Sequence, residues 1–190
     1  MRHSLFLAPV VLLALSPLSA SAELSASTDA GFVSHNEVLV RASPEQAWNA
    51  LLSPANWWNS DHTYSGNAAN LTLTPRAGGC FCETVPGASG APAGEIEHMR
   101  VIYVAPSSTL RLSGGLGPLQ SEPVSGVLTI TLEPQGEMTR ISWDYVVGGY
   151  MRTPMGQLAP TVDQVVGEQL LRLATSLGTV MDPAARRPGS

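Results

Sequence analysis

Lysine is absent from this 190-residue chain, and all ten of its basic residues are arginines. Fifteen acidic residues outnumber them and give a formal net charge of −5 at pH 7. Nucleic acids and anionic membrane surfaces attract proteins through clustered positive charge, and the sequence has no basic run. It therefore predicts neither as a partner. The exclusive use of arginine is also typical of a GC-rich bacterial genome.

Hydrophobic runs long enough to span a membrane, roughly 20 residues, are missing as well. The apolar stretch at residues 5–15 is shorter than that, follows Arg2 and His3, and precedes Ala20-Ser21-Ala22. A basic start, a short apolar segment and a small-x-small end are typical of a secretory signal peptide. We expect residues 1–22 to be removed and the protein to be periplasmic or secreted. An uncleaved membrane anchor is the alternative.

Common catalytic motifs are also missing. The chain has no G-x-S-x-G nucleophile elbow, no H-E-x-x-H helix, no phosphate-binding loop and no dinucleotide fingerprint. Each of these motifs marks a widespread class of enzyme, so their absence favours a binding protein over an enzyme. No cofactor is predicted.

Only two cysteines occur, Cys80 and Cys82. An even number in an exported protein suggests a disulfide, although closing a ring across a single residue strains the preferred geometry. If the strand that carries them pairs with the strand of His98, thiolates and imidazole would form a possible metal site. The alternative is a pair of buried or oxidised cysteines and an unrelated histidine.

Short alternating apolar runs, separated by glycine and proline, indicate an antiparallel sheet with one apolar face. The alternation is clearest where Leu128 and Ile130 share one face, and where Ile141, Trp143 and Tyr145 do so after a turn. The predicted strands are residues 32–41, 71–74, 80–85, 95–104, 109–113, 124–132 and 141–145. In the strand 95–104 either Ile96, His98 and Ile102 or Met99, Val101 and Tyr103 face inward.

Two helical regions accompany these strands. Ser43, Pro44 and Gln46 fit the N-cap, first and third positions of a helix, and a second short helix is expected across residues 54–58. Residues 160–177 carry apolar side chains at i, i+3 and i+4 spacing, which predicts a long amphipathic helix that begins at Pro160.

The apolar face of the sheet needs a cover, and the long C-terminal helix has the only long apolar stripe left to provide it. The predicted fold is therefore α+β of the helix-grip type. A curved antiparallel sheet wraps around the long helix, and two short helices follow the first strand. One domain is expected over residues 23–181, with a disordered tail at residues 182–190.

The segment from Val38 to Trp48, the Trp57-Trp58 pair, the Gly78-Gly79 turn and the terminal helix together resemble the START-related (SRPBCC) superfamily. This superfamily includes a birch pollen allergen, polyketide cyclases and an activator of a heat-shock-protein ATPase. The resemblance covers most of the chain that follows the predicted signal peptide. It implies a cavity between the sheet and the long helix, entered near the short helices and the strand loops.

Histidine and aromatic residues supply the candidate site. His62 beside Asp61 is a candidate acid, base or ligand, and His98 is a second candidate for proton transfer. The alternative is that the neighbouring tryptophans fill the core and that Asp61 and His62 only cap a loop. The residues expected to line the cavity are Trp57, Trp58, His62, Tyr64, Leu116, Trp143 and Tyr145.

The leading hypothesis is an exported protein that binds a small hydrophobic or amphipathic molecule, lipid-like or polyketide-like, in this cavity. One alternative is a cyclase- or dehydratase-like enzyme that uses His62 or His98. Another is a metal or redox site at Cys80, Cys82 and His98. The oligomeric state is left open.

Overall fold

A computed structural model describes residues 21–178 and 180–181. The predicted tail at residues 182–190 and all but the last two residues of the predicted signal peptide lie outside the described residues. Residues 21 and 22, which end the predicted signal peptide, belong to a strand over Ser21–Thr28. Cleavage before Glu23 stays a prediction, and it would leave six residues of this strand.

The described residues form one antiparallel sheet of nine strands with two α-helices. The elements are β1 (Ser21–Thr28), β2 (Gly31–Val40), α1 (Pro44–Leu51), β3 (Leu71–Leu73), β4 (Cys80–Val85), β5 (Gly94–Ala105), β6 (Thr109–Ser113), β7 (Val124–Gln135), β8 (Met138–Gly149), α2 (Met155–Ser176) and β9 (Val180–Met181). The strands lie in the order β1-β2-β8-β7-β6-β5-β4-β3, and the short β9 pairs with β2.

Strands β7 and β8 confirm the predicted alternation. Leu128 and Ile130 are buried on β7, and Ile141, Trp143 and Tyr145 are buried on β8. The strands pair over their full length, so these side chains form one continuous apolar face. This face packs with the buried stripe of α2 in a single core, as the helix-grip prediction requires.

Strand β1 was not predicted. Its sequence, SAELSAST, is mostly small and polar, and such residues carry little hydrophobic pattern. The strand pairs along β2 with a register shift between Leu24 and Ala26. Backbone pairing to β2 therefore fixes the position of β1, and a hydrophobic pattern in the sequence does not reveal such pairing.

An irregularity in β5 resolves the two alternative registers. The pairing of β4 with β5 shifts between Phe81 and Cys82, which pair with Met99 and Glu97, so His98 has no partner in the ladder. A β-bulge of this kind re-aims a side chain. As a result His98, Met99 and Val101 are all buried, whereas Tyr103 is exposed. Each predicted register is correct for only part of the strand.

Only one α-helix is found where two short helices were expected. Helix α1 begins at the predicted cap, where Ser43 accepts from the amide of Gln46 and the Gln46 side chain accepts from the amide of Ser43. The next segment contains single 3₁₀ turns at Pro54–Asn56 and Ser60–His62. The short helices were expected after the first strand, but β1 is an additional strand, so α1 and the 3₁₀ turns follow the second strand.

Helix α2 begins at Met155, five residues before the predicted start at Pro160. Proline favours the first turn of a helix, so the sequence pattern predicts a start at Pro160. Inside the helix Pro160 has no N–H group, so the hydrogen bond to the carbonyl of residue 156 is missing. The remaining turns carry the predicted buried stripe, including Val162, Val166 and Leu170. No helix among the described residues is long and apolar enough to cross a membrane.

Buried hydrogen bonds join α2 to β2. Asp163 on the helix accepts from the hydroxyl of Ser34 at 2.5 Å and from the amide of Asn36 at 3.2 Å. The Asn36 amide also donates to Ser34 at 2.9 Å. All three residues are buried. Since these groups satisfy one another only in one placement of the helix, they fix how α2 lies along the sheet.

Replacing Asp163 with alanine would remove the acceptor of the buried Ser34 hydroxyl and one of the two acceptors of the buried Asn36 amide. We expect Asp163→Ala to lower the free energy of unfolding by about 1–3 kcal/mol, measured by urea denaturation. The exposed neighbour Gln164 offers a matched control, because Gln164→Ala on the same helix should change stability by less than about 0.5 kcal/mol. Equal losses in the two variants would contradict a specific role for Asp163.

Candidate functional site

A cavity of about 410 Å³ lies between the sheet and residues 158–169 of α2. Trp143 of β8 and His98 of β5 contribute to its sheet side, and the segment 58–64 and the loop 116–118 close two other sides. The lining residues are mostly apolar: Trp58, Asp61, His62, Thr63, Tyr64, His98, Leu116, Gly117, Pro118, Trp143, Leu158, Thr161, Val162, Val165, Val166 and Gln169.

Polar side chains of α2 hold the wall formed by residues 57–62. Gln169 accepts from the backbone amide of Asn59 at 2.9 Å, and Glu168 accepts from the Asn59 side chain at 2.6 Å. Arg172 donates to the carbonyl of Trp57 at 2.9 Å. One face of the helix therefore fixes the backbone of the segment that carries the aromatic residues.

Glu83 on β4 anchors the other end of the same segment. Its carboxylate accepts from the backbone amides of Tyr64 at 3.0 Å and Ser65 at 2.5 Å, and from His98 Nε2 at 2.9 Å. Burial alone raises the pKa of Glu83, but the hydrogen bonds from Ser65, Tyr64 and His98 outweigh it and hold the pKa below its ordinary value. Glu83 is therefore ionised at neutral pH although it is fully buried.

His98 lies against the inner wall of the cavity. Burial lowers its pKa and outweighs the opposite effect of Glu83, so the imidazole is neutral at neutral pH. Because an ionised carboxylate only accepts, Nε2 carries the proton and Nδ1 is left as the lone-pair nitrogen. Phe81 and Tyr64 flank the ring, with centroids 5.1 Å and 5.8 Å away.

Two side chains frame the mouth of the cavity. Tyr64 is half exposed, and its hydroxyl donates to the carbonyl of Gly117 at 3.1 Å. His62 Nε2 lies 3.3 Å from Glu168 on α2. These contacts join the segment 58–64 to the loop 116–118 on one side and to the helix on the other.

Tyr145 holds the loop from beneath and does not line the cavity. Its hydroxyl donates to the carbonyl of Gly114 at 3.0 Å and accepts from the amide of Leu116 at 3.1 Å. Burial raises the pKa of Tyr145 to about 12, so the hydroxyl keeps its proton. Gly126 lies opposite, where a Cβ would come within 2.7 Å of the tyrosine ring. Tyr145 therefore positions Leu116.

The structure brings together most of the residues expected to line the cavity, and it places two of them elsewhere. Tyr145 supports the loop, and Trp57 is buried beneath the wall, where its indole donates to the carbonyl of Ala50 at 3.0 Å. The expected residues that do line the cavity are Trp58, His62, Tyr64, Leu116 and Trp143.

Several polar residues of the site were not predicted. Glu83 follows Phe81 by two positions, so the alternation of β4 already placed a carboxylate on the apolar face. Glu168 and Gln169 gave no such indication, since a polar residue on an amphipathic helix is ordinarily expected to face solvent. Asp61 lines the cavity but makes no hydrogen bond to His62 among the contacts of the described residues.

The two cysteines and His98 do not converge. Cys80 and Cys82 are joined to each other in a disulfide, so neither sulfur is a thiolate in this state. His98 instead bonds Glu83 and packs on Phe81, which alternate with the cysteines along β4 and lie on the opposite face. Within the described part of the chain, no group of three or more His, Cys, Asp or Glu residues is arranged to hold a metal.

Two solved bacterial proteins illustrate the similarity of the fold. The Mll3558 protein of Rhizobium loti is 19% identical, with a TM-score of 0.55 over 75% of this chain and 94% of its own. CalU16 of Micromonospora echinospora is 14% identical, with a TM-score of 0.52 over 89% and 90%. No protein-family model and no curated protein sequence matches the chain. At these identities the similarity shows the fold alone.

Glu83 offers a test of how the wall is held. Glu83→Gln replaces one carboxylate oxygen with an NH₂ group, which cannot accept from the Tyr64 and Ser65 amides or from His98. We therefore expect the free energy of unfolding at pH 7 to fall by about 1–3 kcal/mol. The folded pKa of Glu83 lies below the ordinary value of 4.5. The stabilisation is therefore complete above that value and fades as the pH falls through the folded pKa. Urea denaturation should show the wild-type advantage shrinking in acid.

Glu97→Gln is the matched control, because Glu97 is an exposed carboxylate on the neighbouring strand whose partner is Arg100. Such surface pairs contribute little. A wild-type advantage over Glu83→Gln that stays constant from pH 7 to acid would contradict an ionised, hydrogen-bonded Glu83.

Proposed function

We propose that this chain is a START-related protein that binds a small hydrophobic or amphipathic molecule between the sheet and α2. The observation that carries the proposal is the cavity of about 410 Å³ between the sheet and α2. Protein interiors rarely contain voids larger than a water molecule, and ligand pockets occupy about 300–1,000 Å³.

The composition of the walls supports an apolar ligand. Leu116, Trp143, Val162 and Val166 are among the lining residues and give the space much of its apolar surface. An apolar molecule gains free energy in proportion to the surface it removes from water.

Filling the cavity should abolish binding. We expect Val162→Trp to place an indole in the space and to remove one-to-one binding of the neutral fluorescent probe N-phenyl-1-naphthylamine. Val146→Trp is the matched control, since Val146 is half exposed and lies outside the lining residues. Fluorescence titration and native mass spectrometry would measure both. Equal binding by the two variants, or no binding by the wild type, would contradict the proposal.

A second candidate function is proton transfer on a carbonyl compound, as in a cyclase or dehydratase. The arrangement of His98 favours it, because a neutral imidazole in a cavity wall, oriented by a buried carboxylate, has the features of a general base. His62 is the less suitable base, because it lies at the exposed mouth beside Glu168.

Exchange of α-protons would detect this activity without a known substrate. In D₂O, His98 Nδ1 would accept a proton from the methyl group of 2-acetylnaphthalene as the C–H bond breaks, and a deuteron would return to the carbon. We expect exchange above the buffer rate by NMR, lost in His98→Gln and kept in His62→Gln. Equal rates in protein and buffer, or in the two variants, would leave ligand binding as the proposed function.

The proposal includes export to the periplasm or the medium. It is supported by the basic start, the apolar run and Ala20-Ser21-Ala22 at the N-terminus. The protein recovered from the exported fraction of a bacterial host is expected to begin at Glu23, as measured by N-terminal sequencing. Full-length protein confined to the cytoplasm would contradict export.

A further inference from the structure

A second, smaller space lies next to the cavity. It measures about 30 Å³, and three residues, Trp58, Leu116 and Trp143, line both spaces. Because a residue that lines two spaces lies between them, these three side chains form a partition. The cavity on one side of the partition is open to solvent, since Asp61 and His62 in its lining are exposed.

The second space, on the other side of the partition, lies within the hydrophobic core. All of its lining residues are aliphatic or aromatic, and Leu110, Leu128 and Ile130 among them are at most 5% exposed. A space of roughly 10–15 Å³ is enough for one water molecule, and a methylene group is of similar size. The second space therefore has room for the end of an alkyl chain and not for a ring.

The two indoles of the partition are fixed by their contacts. Trp58 Nε1 donates to the carbonyl of His62 at 3.0 Å, and the Trp58 ring packs on Phe81 with the centroids 5.2 Å apart. Trp143 is 2% exposed, and its ring meets Trp57 edge-on at 6.0 Å. Neither indole can turn aside without losing these contacts, so both act as rigid walls.

Leu116 is the smallest member of the partition. Tyr145 holds its backbone amide, whereas its side chain is aliphatic and only partly buried. Shortening this side chain would open the partition without removing a hydrogen bond or an aromatic contact. Leu116 is therefore the residue at which the depth of the site can be set independently of the rest of the wall.

We propose that the ligand has an unbranched alkyl end that points toward the second space, and that Leu116 determines how long this end can be. This inference rests on the proposed ligand-binding function and names a feature of the ligand together with the residue that selects it. In the wild-type protein the alkyl end stops at the partition. With a smaller residue at position 116 it passes into the second space.

The n-alkyl 4-hydroxybenzoates, from methyl to octyl, test this proposal because they share one ring and differ only in chain length. Their Kd is measured by displacement of N-phenyl-1-naphthylamine. For the wild-type protein we expect Kd to fall about fourfold with each added methylene group up to a limiting length, and then to stop falling. In Leu116→Ala the limiting length should increase by about two carbons, which is the room in the second space.

Val165→Ala is the matched control. Val165 lines the cavity but not the second space, so its truncation should leave the limiting length unchanged. Leu73 lines the second space but not the cavity. Adding Leu73→Phe to Leu116→Ala should therefore fill the second space and shorten the limiting length again.

An unchanged limiting length in Leu116→Ala, or an equal increase in Val165→Ala, would overturn this inference and leave the ligand-binding proposal in place. So would a wild-type Kd that keeps falling through the octyl ester, or esters that do not displace a bound probe. If neither the probe nor any ester binds the wild-type protein, the proposed function itself fails. Should Leu116→Ala not fold, Leu116→Val must lengthen the limit in the same direction, and an unchanged limit in that variant overturns the inference.

Discussion

The position of α2 on the sheet is the constraint on which the site depends. Apolar packing alone allows a helix to slide and rotate, because hydrophobic contacts have no direction. Asp163 removes this freedom by accepting from Ser34 and Asn36 on β2 inside the core. With the helix fixed, Gln169 and Glu168 on its later turns meet the segment that carries Trp58 and His62.

The cavity follows from these polar anchors. The segment 57–65 is held at one end by α2 and at the other by Glu83 on β4, so it spans the gap between helix and sheet. Tyr145 holds Leu116 at the opposite wall through its hydroxyl. Because directional hydrogen bonds keep the walls apart, the apolar surfaces between them do not collapse into contact, and a space of about 410 Å³ is left.

The pair of Glu83 and His98 has a structural role and also orients a polar group in the cavity. The carboxylate is required to anchor two backbone amides, and its charge orients the imidazole of His98. The bulge in β5 then presents that imidazole to the cavity, whereas a regular strand would not bury both His98 and Met99. The bulge therefore places the imidazole of His98, which donates from Nε2 to Glu83, in the lining of the cavity.

The sequence by itself determined the sheet with one apolar face, the capped helix α1 and the amphipathic helix that covers the sheet. These features arise from periodicity and capping, which act over a few residues. Only the tertiary structure decided that Tyr145 supports a loop, that His98 meets Glu83 and not the cysteines, and that β1 adds a strand. The physical reason is that these outcomes depend on strand register, a bulge and pairing between distant segments, and neighbouring residues do not encode such contacts.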